Sequence, residues 1–200
     1  MTRVVAGAAR GRRLVVPDGR GTRPTTDRAR EGLFSTLESI LGSFAGRRVA
    51  DLYAGCGAVG LEALSRGASH CLLVEVDGRA LRALRANVVA VGLPCAEVRA
   101  VRVERLVAGA AGGAAYDVVF LDPPYDLPGE HLRTVVTALV ENQWLAVGSL
   151  VVIERATRDG AWDWPAGVTG ERARRYGETT LWYGRAAGQP DVVSAPSAGD

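Results

Sequence analysis

Cysteine and histidine are scarce: the 200-residue chain holds only Cys56, Cys71, Cys95, His70 and His131. No CxxC spacing is present, and an odd number of thiols gives no closed disulfide framework. The expectation is no metal, with the cysteines serving as small buried or half-buried residues. Long apolar runs are missing too. None reaches the roughly 18 residues that a helix needs to cross a bilayer. The Met1-Thr2-Arg3 start passes straight into a strand-like segment, without the apolar stretch of a secretory leader. A cytoplasmic protein away from the membrane is expected.

Lysine is absent altogether, so all 24 basic residues are arginine. Genomic base composition can produce that alone, which leaves the placement of charge as the informative feature. Arg3, Arg10, Arg12, Arg13, Arg20, Arg23, Arg28 and Arg30 fall in the first 30 residues against only Asp18 and Asp27, a local charge of +6. The remaining 170 residues hold 16 arginines and 20 acids, a charge of −4. A mildly acidic body with a basic arm suggests that the arm meets a polyanion. The guanidinium fork suits both phosphate and the faces of bases.

With 48% hydrophobic and 23% charged residues, the composition excludes global disorder and suits one domain with a small appendage. Residues 3–6 and 13–16 read as short strands of a hairpin with a basic tip. After Pro17-Asp18-Gly19 and a Gly/Arg/Thr linker, Thr26 or Asp27 can cap a helix whose apolar face holds Ala29, Leu33, Leu37, Ile40 and Leu41. Arg28 and Arg30 then occupy its first turn, where the helix dipole disfavours cations; a functional contact and a surface accident both account for them. From residue 48 strands and helices alternate. The strands are expected at 48–53, 71–76, 96–101, 116–121 and 149–154, the helices at 59–66, 79–91, 102–108 and 131–141. That order predicts an α/β fold, Rossmann-like, with a mainly parallel sheet covered on both faces. Thr179–Tyr183 reads as one more strand and suggests an antiparallel edge. The expected organisation is a hairpin arm over 1–22, a main domain over 23–186 and a disordered tail over 187–200.

The first βα turn is Asp51-Leu-Tyr-Ala-Gly55-Cys-Gly57-Ala-Val-Gly60. Its glycines allow close backbone approach to a ligand, and the next helix offers free N–H groups. Glu75 lies twenty positions after Gly55, at the end of the second strand, so the string also fits a dinucleotide site; a tight turn without a ligand is the structural alternative. Two features favour S-adenosylmethionine over NAD. Asp51 places a carboxylate where a pyrophosphate would be repelled and a sulfonium or α-amino group attracted. Asp122-Pro123-Pro124-Tyr125, after the fourth strand, has no use in hydride transfer. Tyr53, Ala54, Gly55, Gly57 and Val76 then belong to the cofactor site with Asp51 and Glu75. Glu75 takes the ribose hydroxyls; its rival Asp77 has helix capping as its other role. The adenine is expected near Arg102 and Val103, where many such enzymes have an aspartate, and here a backbone carbonyl can serve instead.

Ligands of open α/β sheets bind at the carboxyl ends of the strands, where Asp122 emerges. An exocyclic amine on a base is a poor nucleophile because its lone pair is delocalised. Two acceptors aimed at its N–H bonds, the Asp122 carboxylate and the Pro123 carbonyl, favour the pyramidal nitrogen that attacks a methyl group in line. Pro124 biases Pro123 towards an extended backbone, and Tyr125 offers a flat face on which a lifted base can stack. A rigid turn is the structural alternative for any Pro-Pro sequence.

These motifs resemble the [D/N/S]PP[Y/F] amino-methyltransferases, whose targets include adenine N6, guanine N2, cytosine N4 and glutamine amides. Residues 3–34, with the block Arg23-Pro-Thr-Thr-Asp-Arg-Ala-Arg-Glu31, resemble the opening of the RsmD family of bacterial rRNA guanine-N2 methyltransferases. The likeness continues through Asp51–Gly57, Val74–Asp77 and Asp122–Tyr125, over roughly residues 2–185. It implies a class I S-adenosylmethionine-dependent enzyme that methylates guanine-966 (bacterial rRNA numbering) of 16S rRNA in the 30S subunit. It further implies that the Thr25–Arg28 region, with Thr26, closes over the methionine end of the cofactor. The arginines of the first 30 residues become RNA contacts on this reading, and a monomer is expected. The rivals are an adenine-N6 DNA or RNA methyltransferase, a catalytically silent RNA-binding assembly factor, and an NAD-dependent oxidoreductase. No target-recognition domain or hydride-acceptor domain is visible for the first and last, and intact Asp51, Glu75 and Asp122 oppose the second.

Overall fold

The chain opens with two short antiparallel strands, β1 (Thr2–Arg3) and β2 (Arg13–Leu14). Helix α1 (Asp27–Leu41) follows, and then the alternation begins: β3 (Arg48–Asp51), α2 (Ala58–Ser65), β4 (His70–Val74), α3 (Gly78–Val91), β5 (Ala96–Arg99), α4 (Val103–Val107), β6 (Tyr116–Leu121), α5 (Gly129–Glu141) and β7 (Leu145–Ala156). A 3-10 turn at Thr157–Asp159 leads to β8 (Val168–Tyr176) and β9 (Thr179–Ala186). The computed structural model describes residues 2–17 and 27–187, and only the backbone of residues 27 and 28. Arg20, Arg23, Thr26, the Arg28 side chain and residues 188–200 of the expected tail lie outside the described residues.

Seven strands form one sheet in the order β5-β4-β3-β6-β7-β9-β8. The first five run parallel, and β9 and β8 add antiparallel. The chain winds outward from β3 to β4 and β5, then returns to place β6 on the other side of β3. That reversal makes the β3–β6 seam the topological switch point, where the carboxyl ends of adjacent strands leave a crevice. Asp51 pairs with Phe120 in this register, so Asp122 follows two residues beyond the partner of Asp51.

Along the inner strands both sheet faces are buried, with the period of two that strands impose. Val118 and Phe120 of β6 enter a core with α1, α2, α3 and the hairpin. Val119 and Leu121 enter the opposite core with α4 and α5. Helix α2 is buried at every position, and Gly60 is what lets it lie so near the sheet. A Cβ there would stand 2.3 Å from Leu73 Cδ2 and 2.7 Å from Cys71 Sγ.

The antiparallel edge differs in detail from the sequence reading. Strand β9 pairs with β7 as expected, but β8 lies outside both as the edge. Its residues Thr169–Arg175 are all exposed, and GERARR carries charge on both faces. An edge strand needs no second apolar face, and charge there deters pairing with another chain. The apolar alternation that reveals inner strands is therefore missing.

The hairpin strands are also shorter than expected, because several of the hairpin's N–H groups are used elsewhere. Val5 and Ala6 donate to the Glu62 carboxylate at 2.6 and 2.9 Å, and Ala9 donates to Ser65 Oγ at 2.9 Å. Gly7, at φ +80°, lies so close to α2 that a Cβ would meet Ser65 O at 1.8 Å. Val4, Ala9 and Leu14 join the core, so the hairpin lies flat against the body. Arg3, Arg10, Arg12 and Arg13 remain exposed.

Arg30 does not. Assigned above to RNA contact, it is 0% exposed, donates to the Arg3 carbonyl and stands 3.9 Å from Glu62. Glu62 also accepts Arg66 Nε at 2.8 Å. The reason lies in helical geometry: Arg30, Leu33, Phe34 and Leu37 share one stripe of α1, and that stripe faces the core. Arg30 ties the hairpin to α1 and α2 and reaches no solvent.

Candidate active site

The crevice at the switch point is a pocket of about 390 Å³. Asp51, Tyr53, Ala54, Gly55, Glu75, Val76, Arg102, Val103 and all four residues of Asp122–Tyr125 line it. Of the expected cofactor residues in the described region, Gly57 alone stands apart. It is buried in the left-handed conformation (φ +84°), and a Cβ there would meet Leu84 Cδ1 at 2.5 Å. Its part is to make the turn and admit α3, not to line the pocket.

Gly55 has φ +55° and nothing within 4 Å of where a Cβ would be. The backbone thus presents an open face to the pocket. Its N–H is already oriented, donating to Glu75 Oε2 at 2.8 Å. The other Glu75 oxygen accepts the N–H groups of Val76 and Asp77, both at 2.7 Å. A carboxylate has about four lone-pair sites, so Glu75 both braces the turn and keeps capacity for a ligand hydroxyl. Asp77 caps α3, accepting Arg79 N and Ala80 N at 2.9 Å. Those hydrogen bonds, Ala80's foremost, hold its carboxyl below the usual carboxylate range.

Asp51 is 1% exposed and accepts the Gly60 N–H at 3.0 Å. Burial pushes its carboxyl up to about 7, against the lowering effect of that hydrogen bond and with a further rise from Glu75. An acid so placed gains most from a cationic ligand, which restores its charged form. Burial also raises the Tyr53 phenol, with Glu104 adding to the effect. The open backbone at Gly55, the buried acid at Asp51 and the spare acceptor capacity of Glu75 together fit an amino acid cation joined to a ribose.

The chemical side of the pocket is a short, tied loop. Asp122 is half-buried, Pro123 buried and Tyr125 44% exposed. The Leu127 N–H donates to the Pro124 carbonyl at 2.9 Å. Arg155, on β7, donates to the Leu127 carbonyl at 3.0 Å and pairs with Asp159 at 2.9 Å. The loop is therefore anchored to the neighbouring strand as well as closed on itself.

Other lining residues escaped the sequence reading. Val16 and Pro17, just after the hairpin, lie over the pocket, joined by Glu104, Phe120 and Leu127. Asn87 ties Val15, the residue before the first two, to the glycine turn. It is 0% exposed, exchanges hydrogen bonds of 2.8 Å with Val15 N and O, and donates to the Cys56 carbonyl at 2.8 Å. The signal was a lone amide on the apolar stripe Ala80, Ala83, Leu84, Asn87 and Val91: a buried amide must find partners.

Comparison with known proteins agrees with this geometry. Residues 2–185 match the family model described as conserved hypothetical protein 95. The chain is 35% identical over 192 residues to ribosomal RNA small subunit methyltransferase D of Escherichia coli, covering 95% of this chain and 93% of that protein. Among solved structures, yhhF of Escherichia coli superposes with a TM-score of 0.81 at 31% identity, covering 94% of this chain and 98% of that one. A hypothetical protein of Thermus thermophilus gives 0.75 at 35% identity, with 92% and 98% covered. With a glycine turn, a buried acid and an Asp-Pro-Pro-Tyr loop around one crevice, the chain belongs to the RsmD family of S-adenosylmethionine-dependent methyltransferases.

Proposed function

We propose that the protein methylates the exocyclic N2 of a guanine in small-subunit rRNA, guanine-966 of 16S rRNA within the 30S particle. The observation that carries this reading is the placement of Asp122–Tyr125 in the same pocket as Asp51, Gly55 and Glu75, in a chain so similar to a small-subunit rRNA methyltransferase. S-adenosylmethionine supplies a methyl group on a cationic sulfur, a carbon that needs only a well-placed nucleophile. Asp51 would balance the cation, Gly55 and Glu75 would hold the nucleoside end, and Val103 and Arg102 would border the adenine. Asp122 and the Pro123 carbonyl accept the N–H bonds of the guanine amine, and Tyr125 stacks on the base. Transfer would form the N–C bond as the sulfur–methyl bond breaks and neutral S-adenosylhomocysteine leaves; the positive charge then on the amine makes it acidic, and Asp122 is placed to take its proton. Positioning and electrostatics carry the rate, so Asp122 need not be a strong base.

The exposed Arg3, Arg10, Arg12 and Arg13 are assigned to RNA phosphates, with the 1–22 segment as the RNA-contacting part and 23–186 as the catalytic domain. The hairpin tip packs at the Ser65 end of α2, one helix length of about 12 Å from the glycine turn, so those arginines suit RNA away from the target base. The protein works as a monomer without a metal, and a ribosomal substrate places it in the cytosol. Among the described residues no helix is long and apolar enough to cross a membrane. The test is nucleoside analysis of 30S particles, naked 16S rRNA and duplex DNA treated with labelled cofactor, with N2-methylguanosine expected.

A further inference from the structure

A second pocket, of about 380 Å³, shares Tyr125 with the first as a common wall. Its other sides are the end of β7, the 3-10 turn and the β8–β9 turn, which contribute Thr157, Arg158, Arg175 and Glu178. None of these positions figures in the methyl-transfer chemistry.

The two turns are fastened together. The Thr157 N–H donates to the Glu178 carbonyl at 2.7 Å, and the hydroxyls of Thr157 and Thr180 lie 3.0 Å apart. Arg175 Nε donates to the Gly177 carbonyl at 3.0 Å, which fixes the plane of its guanidinium and leaves the two terminal nitrogens available. Arg158 and Arg175 are both exposed, and neither is in an ion pair among the described residues. Arg155 nearby differs, being committed to Asp159 and the Leu127 carbonyl. On the edge strand Arg172 and Arg174 alternate with Arg175 and pair in register with Tyr183 and Leu181, whose side chains enter the other core. They therefore belong to the opposite face, and Arg175 alone of the three serves this pocket.

A base that stacks on Tyr125 brings its own phosphodiesters with it. A strand that leaves the catalytic pocket past Tyr125 meets the adjoining cavity, whose lining includes two guanidiniums on braced turns. We infer that Arg158 and Arg175 form a phosphate-binding subsite for the RNA backbone next to the target nucleotide. The paired forks hold a phosphodiester there by charge-assisted hydrogen bonds, and Glu178, which also lines the pocket, bounds the positive surface. This subsite positions the flipped nucleotide, whereas the hairpin arginines contact RNA further away. The inference rests on the RNA-methylating reading given above.

The experiment compares wild type, R158A/R175A and R158K/R175K in binding to and methylation of 30S particles over a range of salt concentrations. For R158A/R175A, KM for the particle is expected to rise about tenfold and the slope of log affinity against log salt to fall by about 1 to 2. Cofactor Kd stays at the wild-type value, and the lysine variant restores the salt slope because two charges remain, while recovering affinity only in part because the forks are lost. Wild-type KM and salt slope in R158A/R175A, with wild type making N2-methylguanosine, overturn the subsite alone. A wild-type protein that makes no N2-methylguanosine overturns the functional reading instead, while the binding slopes still decide the subsite. Equal losses in the alanine and lysine variants, accompanied by a lowered melting temperature, assign the two arginines to folding and also overturn it.

Discussion

The Asp51 carboxylate accepts the Gly60 N–H at 3.0 Å, so the acid that ends β3 is clamped to the helix that follows the glycine turn. This bond spans the ligand turn and leaves the acid buried on the pocket wall.

Protonation of Asp51 makes cofactor binding depend on pH. With its carboxyl pushed up to about 7, roughly a tenth is ionised at pH 6 and roughly nine tenths at pH 8. Affinity for the cationic cofactor is expected to rise about tenfold across that window. Calorimetric titration at several pH values measures it, and Asp51→Asn flattens the profile. In the cofactor-free protein the sign reverses. The folded state keeps this proton up to about 7, whereas the unfolded chain releases it near 3.8. The stability contributed by Asp51 is therefore full below the ordinary carboxylate value and lost as pH rises through about 7.

Arg30→Ala separates folding from RNA contact. Glu62 would lose a buried cationic neighbour, and the Arg3 carbonyl a donor. A loss of about 3 kcal/mol in unfolding free energy is expected, read by chemical denaturation. The salt slope of RNA binding, measured on the fraction that remains folded, should stay at the wild-type value. A variant of wild-type stability with a reduced slope would return Arg30 to the RNA surface.

Replacing Arg10, Arg12 and Arg13 together with alanine should weaken binding to 30S particles and lower the salt slope by about 2 to 3. These side chains are exposed, so the melting temperature should hold. Unchanged affinity and slope would mean that the hairpin touches no RNA.

The inner fold was readable because β3, β4, β6 and β7 are apolar runs separated by helical segments, and burial on both faces leaves that trace. The pocket was readable for a related reason. Asp51 ends a strand and Gly55, Glu75 and Asp122 follow one, and the ends of parallel strands converge at one edge of the sheet. Strand β8 was hidden by its solvent-facing charges. Arg30 and Asn87 were misread or passed over because each is a polar residue on an apolar stripe, and its partner lies far away in sequence: Glu62 for the first, Val15 and Cys56 for the second. Positive charge near the N-terminus was plain from the sequence. Which guanidiniums reach solvent was a matter of tertiary packing. Arg158 and Arg175 come together only when the 3-10 turn meets the β8–β9 turn.

The most direct measurement is nucleoside analysis of rRNA from 30S particles treated with labelled S-adenosylmethionine, using wild type and Asp122→Ala side by side. Wild type is expected to yield N2-methylguanosine. Asp122→Ala is expected to yield none while binding the cofactor with nearly wild-type affinity, because Asp122 acts on the amine and not on the sulfonium. N6-methyladenosine as the product, or undiminished N2-methylguanosine from Asp122→Ala, would contradict the account.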